Sequence, residues 1–136
     1  MTTTATTPAS AVALRYGATA LAAAAVNTVL GLSAAALDDG GIGMGLTPAA
    51  YLPATVVGFV LGVLGWNVLA KRAPRALRVI VPVALALTWI PDVLLLSAGA
   101  TAANVVGLML MHLVVATAVV TVGLRRLRVT PGQGAV

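Results

Sequence analysis

Residues 102–124 read AANVVGLMLMHLVVATAVVTVGL, a run that contains no Asp, Glu, Lys or Arg. A helix of about 20 apolar residues crosses the hydrocarbon core of a bilayer, which is about 30 Å thick. The run is long enough for such a crossing, and small residues such as Ala103 and Gly107 suit helix packing within a membrane. It therefore predicts a transmembrane helix.

Three more runs of the same kind precede it, at about residues 11–37, 49–70 and 79–98. Their only charged residues are Arg15 and Asp92. A soluble domain of 136 residues could not bury this much apolar surface, because a large share of a small protein stays exposed. We predict an all-α bundle of four transmembrane helices with short loops, forming one membrane domain over residues 11–128. The polar head, 1–10, and the tail, 129–136, are predicted to be flexible.

The composition excludes several classes of function. The chain is 60% hydrophobic and 8% charged, and it has no cysteine, which rules out disulfides and thiol chemistry. It has one histidine and three Asp plus Glu residues. A tight metal site usually needs three or four ligands close together, so we predict neither a metal nor a cofactor.

The basic residues fix the predicted orientation. Arg15 begins the first span, four basic residues lie within 71–78, and three follow the fourth span within 125–128. In an alternating topology all eight lie on one side, which the positive-inside rule makes cytoplasmic. We therefore predict cytoplasmic termini (N-in/C-in) in a multi-pass plasma-membrane protein, and the bias towards Arg and Ala suggests a bacterial source. This placement explains the net charge of +5 without a nucleic-acid partner.

Small and aromatic residues predict how the helices pack. Ala54, Gly58 and Gly62 form a ridge at four-residue spacing, which favours either packing within one bundle or a homodimer through Gly58 and Gly62. Tyr51 and Trp66 fall near the two ends of the second span, where aromatic residues form interfacial belts. We expect both rings at the membrane surface.

Asp92 is the most informative polar residue, because a carboxyl group within a span is costly and is tolerated mainly inside a bundle. From the rise of a helix, Asp92 lies about 9 Å below the outer boundary and His112 about 16 Å. A side chain plus one water or ligand group could bridge this gap between neighbouring helices. The WIPD run (89–92) adds an aromatic surface and a proline that cannot donate a backbone hydrogen bond. The predicted ligand-binding residues are Asp92, Asn104, His112, Trp89, Asn27 and Thr88.

Three roles stay open for this cluster. Asp92 could hydrogen-bond its neighbours and lock the bundle, or the cluster could line a pocket for a lipophilic ligand, or it could relay protons. We predict a membrane protein that binds a lipophilic small molecule or a partner membrane protein. The alternative is an intramembrane enzyme that uses Asp92 and His112 for acid–base chemistry on an apolar substrate. A proton-coupled small transporter is the second alternative.

Several motifs resemble one family of membrane proteins. They are Val26–Asn27, Gly65–Trp66, WIPDVL (89–94), LMLMHLVVATAVV (108–120) and LRRL (124–127). On these motifs the chain is similar to a family of uncharacterised, mostly actinobacterial integral membrane proteins with four spans. The resemblance covers nearly the whole chain apart from the head and the tail. It implies the four-span architecture and draws attention to Asp92 and His112, but it implies no reaction.

Overall fold

Four α-helices make up most of the protein in a computed structural model that describes residues 9–128. The predicted flexible tail, 129–136, and residues 1–8 of the predicted head lie outside the described residues, whereas Ala9 and Ser10 already belong to the first helix. The helices, in chain order, are α1 (Ala9–Leu37), α2 (Pro48–Arg72), α3 (Leu77–Leu94) and α4 (Ala102–Arg128). Short 3-10 helices, Pro74–Ala76 and Leu95–Ala98, flank α3.

All four helical segments are long and apolar enough to cross a membrane. The third crossing segment is Pro74–Ala98, which combines α3 with its two flanking 3-10 turns. The described part of the chain contains no strand. The predicted all-α bundle of four membrane-spanning helices is therefore confirmed.

Helix α4 is the centre of the bundle. It packs against each of the other three helices, whereas α2 and α3 scarcely touch each other. Only Leu77 and Asp92 of α3 are buried, so the rest of that helix is largely exposed at the edge of the bundle. Because α2 and α3 both pack against α4 but scarcely against each other, an open groove runs between them.

The turn between α3 and α4 depends on one glycine. Gly99 has a φ of 93°, in the left-handed region that residues with a Cβ rarely adopt. The next N–H, that of Ala100, donates to the carbonyl of Leu95 at 3.0 Å and closes the end of the helix. This tight reversal places α3 and α4 side by side in antiparallel orientation.

Glycines on α1 and α4 leave room for large rings. A Cβ built on Gly31 would lie 2.7 Å from the Tyr51 ring, and one built on Gly123 would overlap the Trp66 ring. Tyr51 and Trp66 are only 3% and 7% exposed. Both rings therefore face the interior of the bundle, because each fills a slot that a glycine of a neighbouring helix leaves open. Their depth near the membrane surface stays a prediction.

The ridge of small residues on α2 faces α4. A Cβ on Gly62 would lie 2.7 Å from a Val119 methyl group, and one on Gly58 would lie 3.5 Å from Val115. Gly65, by contrast, has open space around it. Of the two roles predicted for the ridge, packing within the bundle is the one observed, and a homodimer through Gly58 and Gly62 stays a prediction.

The loop between α1 and α2 is tied to the start of α4. Asp38 accepts hydrogen bonds from the Gly43 N–H, at 2.8 Å, and from the Thr101 hydroxyl. Asn104 adds a third tie, because its amide donates to the Met44 carbonyl at 2.9 Å. The loop is thus anchored at the end of the bundle that is opposite the termini.

The contact between Gly123 and Trp66 can be tested with matched substitutions. We expect Gly123→Ala to lower the free energy of unfolding by about 1–3 kcal/mol, because a methyl group would overlap a rigid, buried ring. Gly65→Ala, with nothing within 4 Å of the new methyl group, should stay within about 0.5 kcal/mol of wild type. Thermal unfolding in detergent micelles measures both, and equal effects would contradict the close packing of Trp66.

The tie through Asp38 predicts a difference between neighbouring aspartates. Asp38→Asn replaces one of the two accepting oxygens by an NH2 group that cannot accept, so one of the two hydrogen bonds is lost and we expect a loss of about 1 kcal/mol in the free energy of unfolding. Asp39→Asn is the control, since Asp39 is exposed and makes no hydrogen bond within residues 9–128. Chemical unfolding in micelles compares them, and a larger loss for Asp39→Asn would refute the proposed tie.

Candidate functional site

The groove between α2 and α3, with α4 as its floor, is a cavity of about 410 Å³. Its walls are mainly Ala, Gly, Val, Leu and Met side chains. A few polar residues interrupt this apolar lining, namely Asn27, Tyr51, Thr55, Thr88 and His112. Such a cavity, apolar with a few placed polar groups, is typical of sites for small molecules.

Asp92 and His112 form the closest polar contact between α3 and α4. Nδ1 of His112 lies 3.0 Å from Oδ2 of Asp92 and 3.0 Å from the carbonyl oxygen of Leu108. Asp92 is buried, with its side chain 8% exposed, whereas the His112 side chain is 39% exposed and lines the groove. The two residues therefore meet directly, without the bridging water or ligand that their estimated depths had suggested.

The neighbours of Nδ1 determine which nitrogen of His112 carries the proton. A carbonyl oxygen can only accept a hydrogen bond, so the nitrogen beside the Leu108 carbonyl must be the donor. A neutral imidazole carries one N–H, which leaves Nε2 as a lone-pair acceptor. Nε2 has no hydrogen-bond partner within residues 9–128. The imidazole of His112 is thus held by Nδ1, and its Nε2 lone pair is available to accept a hydrogen bond from a ligand.

A second polar pair lies between α1 and α2. Asn27, which is 1% exposed, donates its amide to the Thr55 hydroxyl at 2.7 Å. Oδ1 of Asn27 and the hydroxyl of Tyr51 are buried without a hydrogen-bond partner in the described residues. Buried polar groups usually have partners, since leaving one unpaired costs about 1–3 kcal/mol. Both residues line the groove, but these two atoms themselves are buried.

Trp89, the residue next to Thr88 in the wall of the groove, joins α3 to α4. Its indole N–H donates to the Met109 carbonyl at 3.1 Å. Thr88 lines the groove, and its hydroxyl donates to the Leu85 carbonyl at 2.7 Å within α3. Trp89 therefore holds the wall in place, while Thr88 is part of the wall.

The six predicted site residues do not form one cluster. Asp92, His112 and Trp89 meet at the contact between α3 and α4, and Asn27 and Thr88 share the groove with His112. Asn104 is fully buried but donates to the Met44 carbonyl in the loop, and it makes no hydrogen bond with Asp92 in the described residues.

Two residues of the groove were missed in the sequence. Tyr51 and Thr55 lie four residues apart on α2 and so share one face of that helix. Their spacing of four residues, next to Ala54 of the small-residue ridge, indicated that they face the bundle. Tyr51 was instead assigned to an interfacial belt, so this pattern was overlooked.

The available groups define what this site can do. Within the described residues 9–128, no three His, Cys, Asp or Glu side chains come together as they would around a metal ion. The site offers one imidazole whose Nδ1 faces a carboxyl group, three hydroxyls and an amide in apolar surroundings. It can accept a hydrogen bond from a ligand or take a proton from one.

Comparison with known proteins gives a family without an assigned function. Residues 2–129 match the model described as "Family of unknown function (DUF6069)". No curated protein and no solved structure matches the chain. The match covers nearly the whole sequence, in agreement with the resemblance to a four-span family of unknown activity. The chain therefore belongs to the DUF6069 family.

Proposed function

We propose that this protein binds a lipophilic small molecule carrying a hydroxyl group, in the groove between α2 and α3. The observation that carries the proposal is His112, half-exposed in an apolar cavity with Nδ1 engaged and Nε2 available. A hydroxyl donating to Nε2 would satisfy the one acceptor that the ring leaves open.

The dimensions and walls of the groove support an apolar ligand. A volume of about 410 Å³ lies within the range of about 300–1,000 Å³ that is usual for small-molecule sites. The helices beside the groove expose apolar side chains, among them Val57 on α2 and Leu87 on α3. A molecule dissolved in the bilayer could therefore enter sideways, without passing through water.

The polar groups support a ligand that is not purely hydrocarbon. Oδ1 of Asn27 can only accept, whereas the Tyr51 hydroxyl can donate or accept. Both atoms are buried, so a ligand would engage them only if their side chains turned towards the groove. A plain alkane would leave Nε2 of His112 without a donor, at a cost in affinity.

The surroundings of the protein follow from its charge distribution. We propose a bacterial plasma membrane with both termini cytoplasmic, because the basic residues gather at one end of the bundle. The groove would then lie within the hydrocarbon core, and its ligand would be a membrane-dissolved molecule. A partner membrane protein that covers α3 is the competing occupant, since that helix is largely exposed.

Acid–base catalysis is a second candidate, favoured by the contact between Asp92 and His112. A carboxyl group beside Nδ1 orients the imidazole, with Nε2 left towards the ligand. Nε2 could then take a proton from a bound hydroxyl. Mass spectrometry of lipids incubated with each protein tests this candidate. Catalysis by His112 predicts a chemically altered lipid with wild type and none with His112→Asn. Unchanged lipids with wild type would exclude catalysis and keep the binding role.

A matched pair of ligands tests the role of His112. We expect para-pentylphenol to bind at least about tenfold more tightly than para-pentylanisole, because the methyl ether cannot donate to Nε2. His112→Phe should remove this difference. The measurement is saturation-transfer NMR in detergent micelles, with the signal of each compound corrected for its partition into protein-free micelles.

Thr117→Val is the control for that variant, since Thr117 is exposed on α4 and does not line the groove. It should preserve the preference for the phenol. A phenol preference that survives in His112→Phe would overturn the assignment of Nε2 as the acceptor.

Asp92→Asn separates ligand binding from a structural role. We expect the phenol affinity to fall several-fold, because an amide holds the imidazole less firmly than a carboxylate does. The unfolding temperature should change little, since Nδ1 keeps the Leu108 carbonyl as acceptor. A large fall in unfolding temperature with unchanged phenol affinity would make Asp92 a lock between α3 and α4 instead.

A further inference from the structure

A second depression lies at the opposite end of the bundle from the α1–α2 loop, between the start of α1 and the end of α4. Its volume is about 120 Å³, which is roughly the space of four water molecules. It is lined by Val12, Arg15, Tyr16, Thr19, Val122, Arg125 and Arg126. Two helices that are far apart in sequence thus bring three guanidinium groups to one small cavity.

No aspartate side chain lines this cavity. Arg15 and Arg125 make no ion pair within residues 9–128. The chain has three acidic residues, of which two, Asp38 and Asp39, lie in the loop at the other end and one, Asp92, contacts His112. Like charges held close together are unfavourable unless an anion joins them.

Arg126 links the cavity to a third helix. It donates to the Asn67 side-chain oxygen on α2 at 2.7 Å. This bond holds one wall of the cavity in position from a third helix. The cavity is therefore built by α1, α4 and, through Asn67, α2.

We propose that this cavity binds the phosphate group of an anionic phospholipid, independently of the groove between α2 and α3. Guanidinium groups match phosphate oxygens in paired hydrogen bonds, and basic pockets between transmembrane helices are known to hold lipid headgroups. The cavity has room for a phosphate but not for a whole lipid. Val12 and Val122 border it, and the exposed Leu14 beside it offers an apolar surface to an acyl chain.

The test measures the binding of phosphatidylglycerol to the full chain in neutral detergent micelles by native mass spectrometry. Diacylglycerol with the same acyl chains is the matched lipid without phosphate. We expect one phosphatidylglycerol per chain, bound at least about tenfold more tightly than diacylglycerol. Arg125→Gln and Arg15→Gln should each weaken phosphatidylglycerol about tenfold, whereas the diacylglycerol affinity should not change.

Arg78→Gln is the control, because Arg78 is an exposed arginine at the same end of the bundle that does not line the cavity. It should bind phosphatidylglycerol like wild type. An equal loss in Arg78→Gln would show a general attraction of this face and overturn the site, as would unchanged binding in both Arg15→Gln and Arg125→Gln. The two separate variants keep the test valid if one of them fails to fold.

Competition with inorganic phosphate distinguishes the two sources of the anion. Retention of phosphatidylglycerol in millimolar phosphate assigns the cavity to a lipid headgroup. Displacement of the lipid by phosphate keeps the anion site but assigns it to free phosphate or a soluble phosphate ester. Equal binding of phosphatidylglycerol and diacylglycerol would refute both.

Discussion

The contact between Asp92 of α3 and His112 of α4 is the interaction on which the architecture of the site depends. Helix α3 buries very few side chains, so apolar packing alone holds it weakly against the bundle. The Asp92–His112 contact and the hydrogen bond from Trp89 to Met109 supply the polar ties. The Trp89 bond fastens α3 to α4, and the Asp92–His112 contact sets the orientation of the imidazole that lines the groove.

Placing the Asp92 carboxyl group within a membrane span is unfavourable, and its contact with His112 offsets this free energy only in part. A carboxyl group within a span costs about 2.5–3.5 kcal/mol at the helix centre. Oδ2 of Asp92 lies 3.0 Å from Nδ1 of His112, but no aligned hydrogen bond is formed to it. The Nδ1 N–H donates to the Leu108 carbonyl, so it does not fully satisfy the carboxyl group of Asp92. Such an arrangement is better suited to orienting an imidazole than to maximising stability.

The two ends of the bundle use charge in different ways. At one end the hydrogen bonds of Asp38 and Asn104 are made within the protein and join the α1–α2 loop to the start of α4. At the other end Arg15, Arg125 and Arg126 line one small cavity, with no acidic side chain among its lining residues. The first end is closed by internal hydrogen bonds, and the second gathers positive charge.

The amino-acid sequence by itself determined the class, the number of helices and their order, because apolar runs of about 20 residues permit few other structures. It also brought Asp92 and His112 together, since a tight hairpin makes α3 and α4 neighbours and helix rise sets their depths. The tertiary structure alone decided the rotation of each helix. Asn104 and His112 are eight residues apart, hence about 80° apart around α4, and only one of them faces the groove. Tyr51 and Trp66 turn inward for the same reason, because the glycines that receive their rings belong to helices distant in sequence.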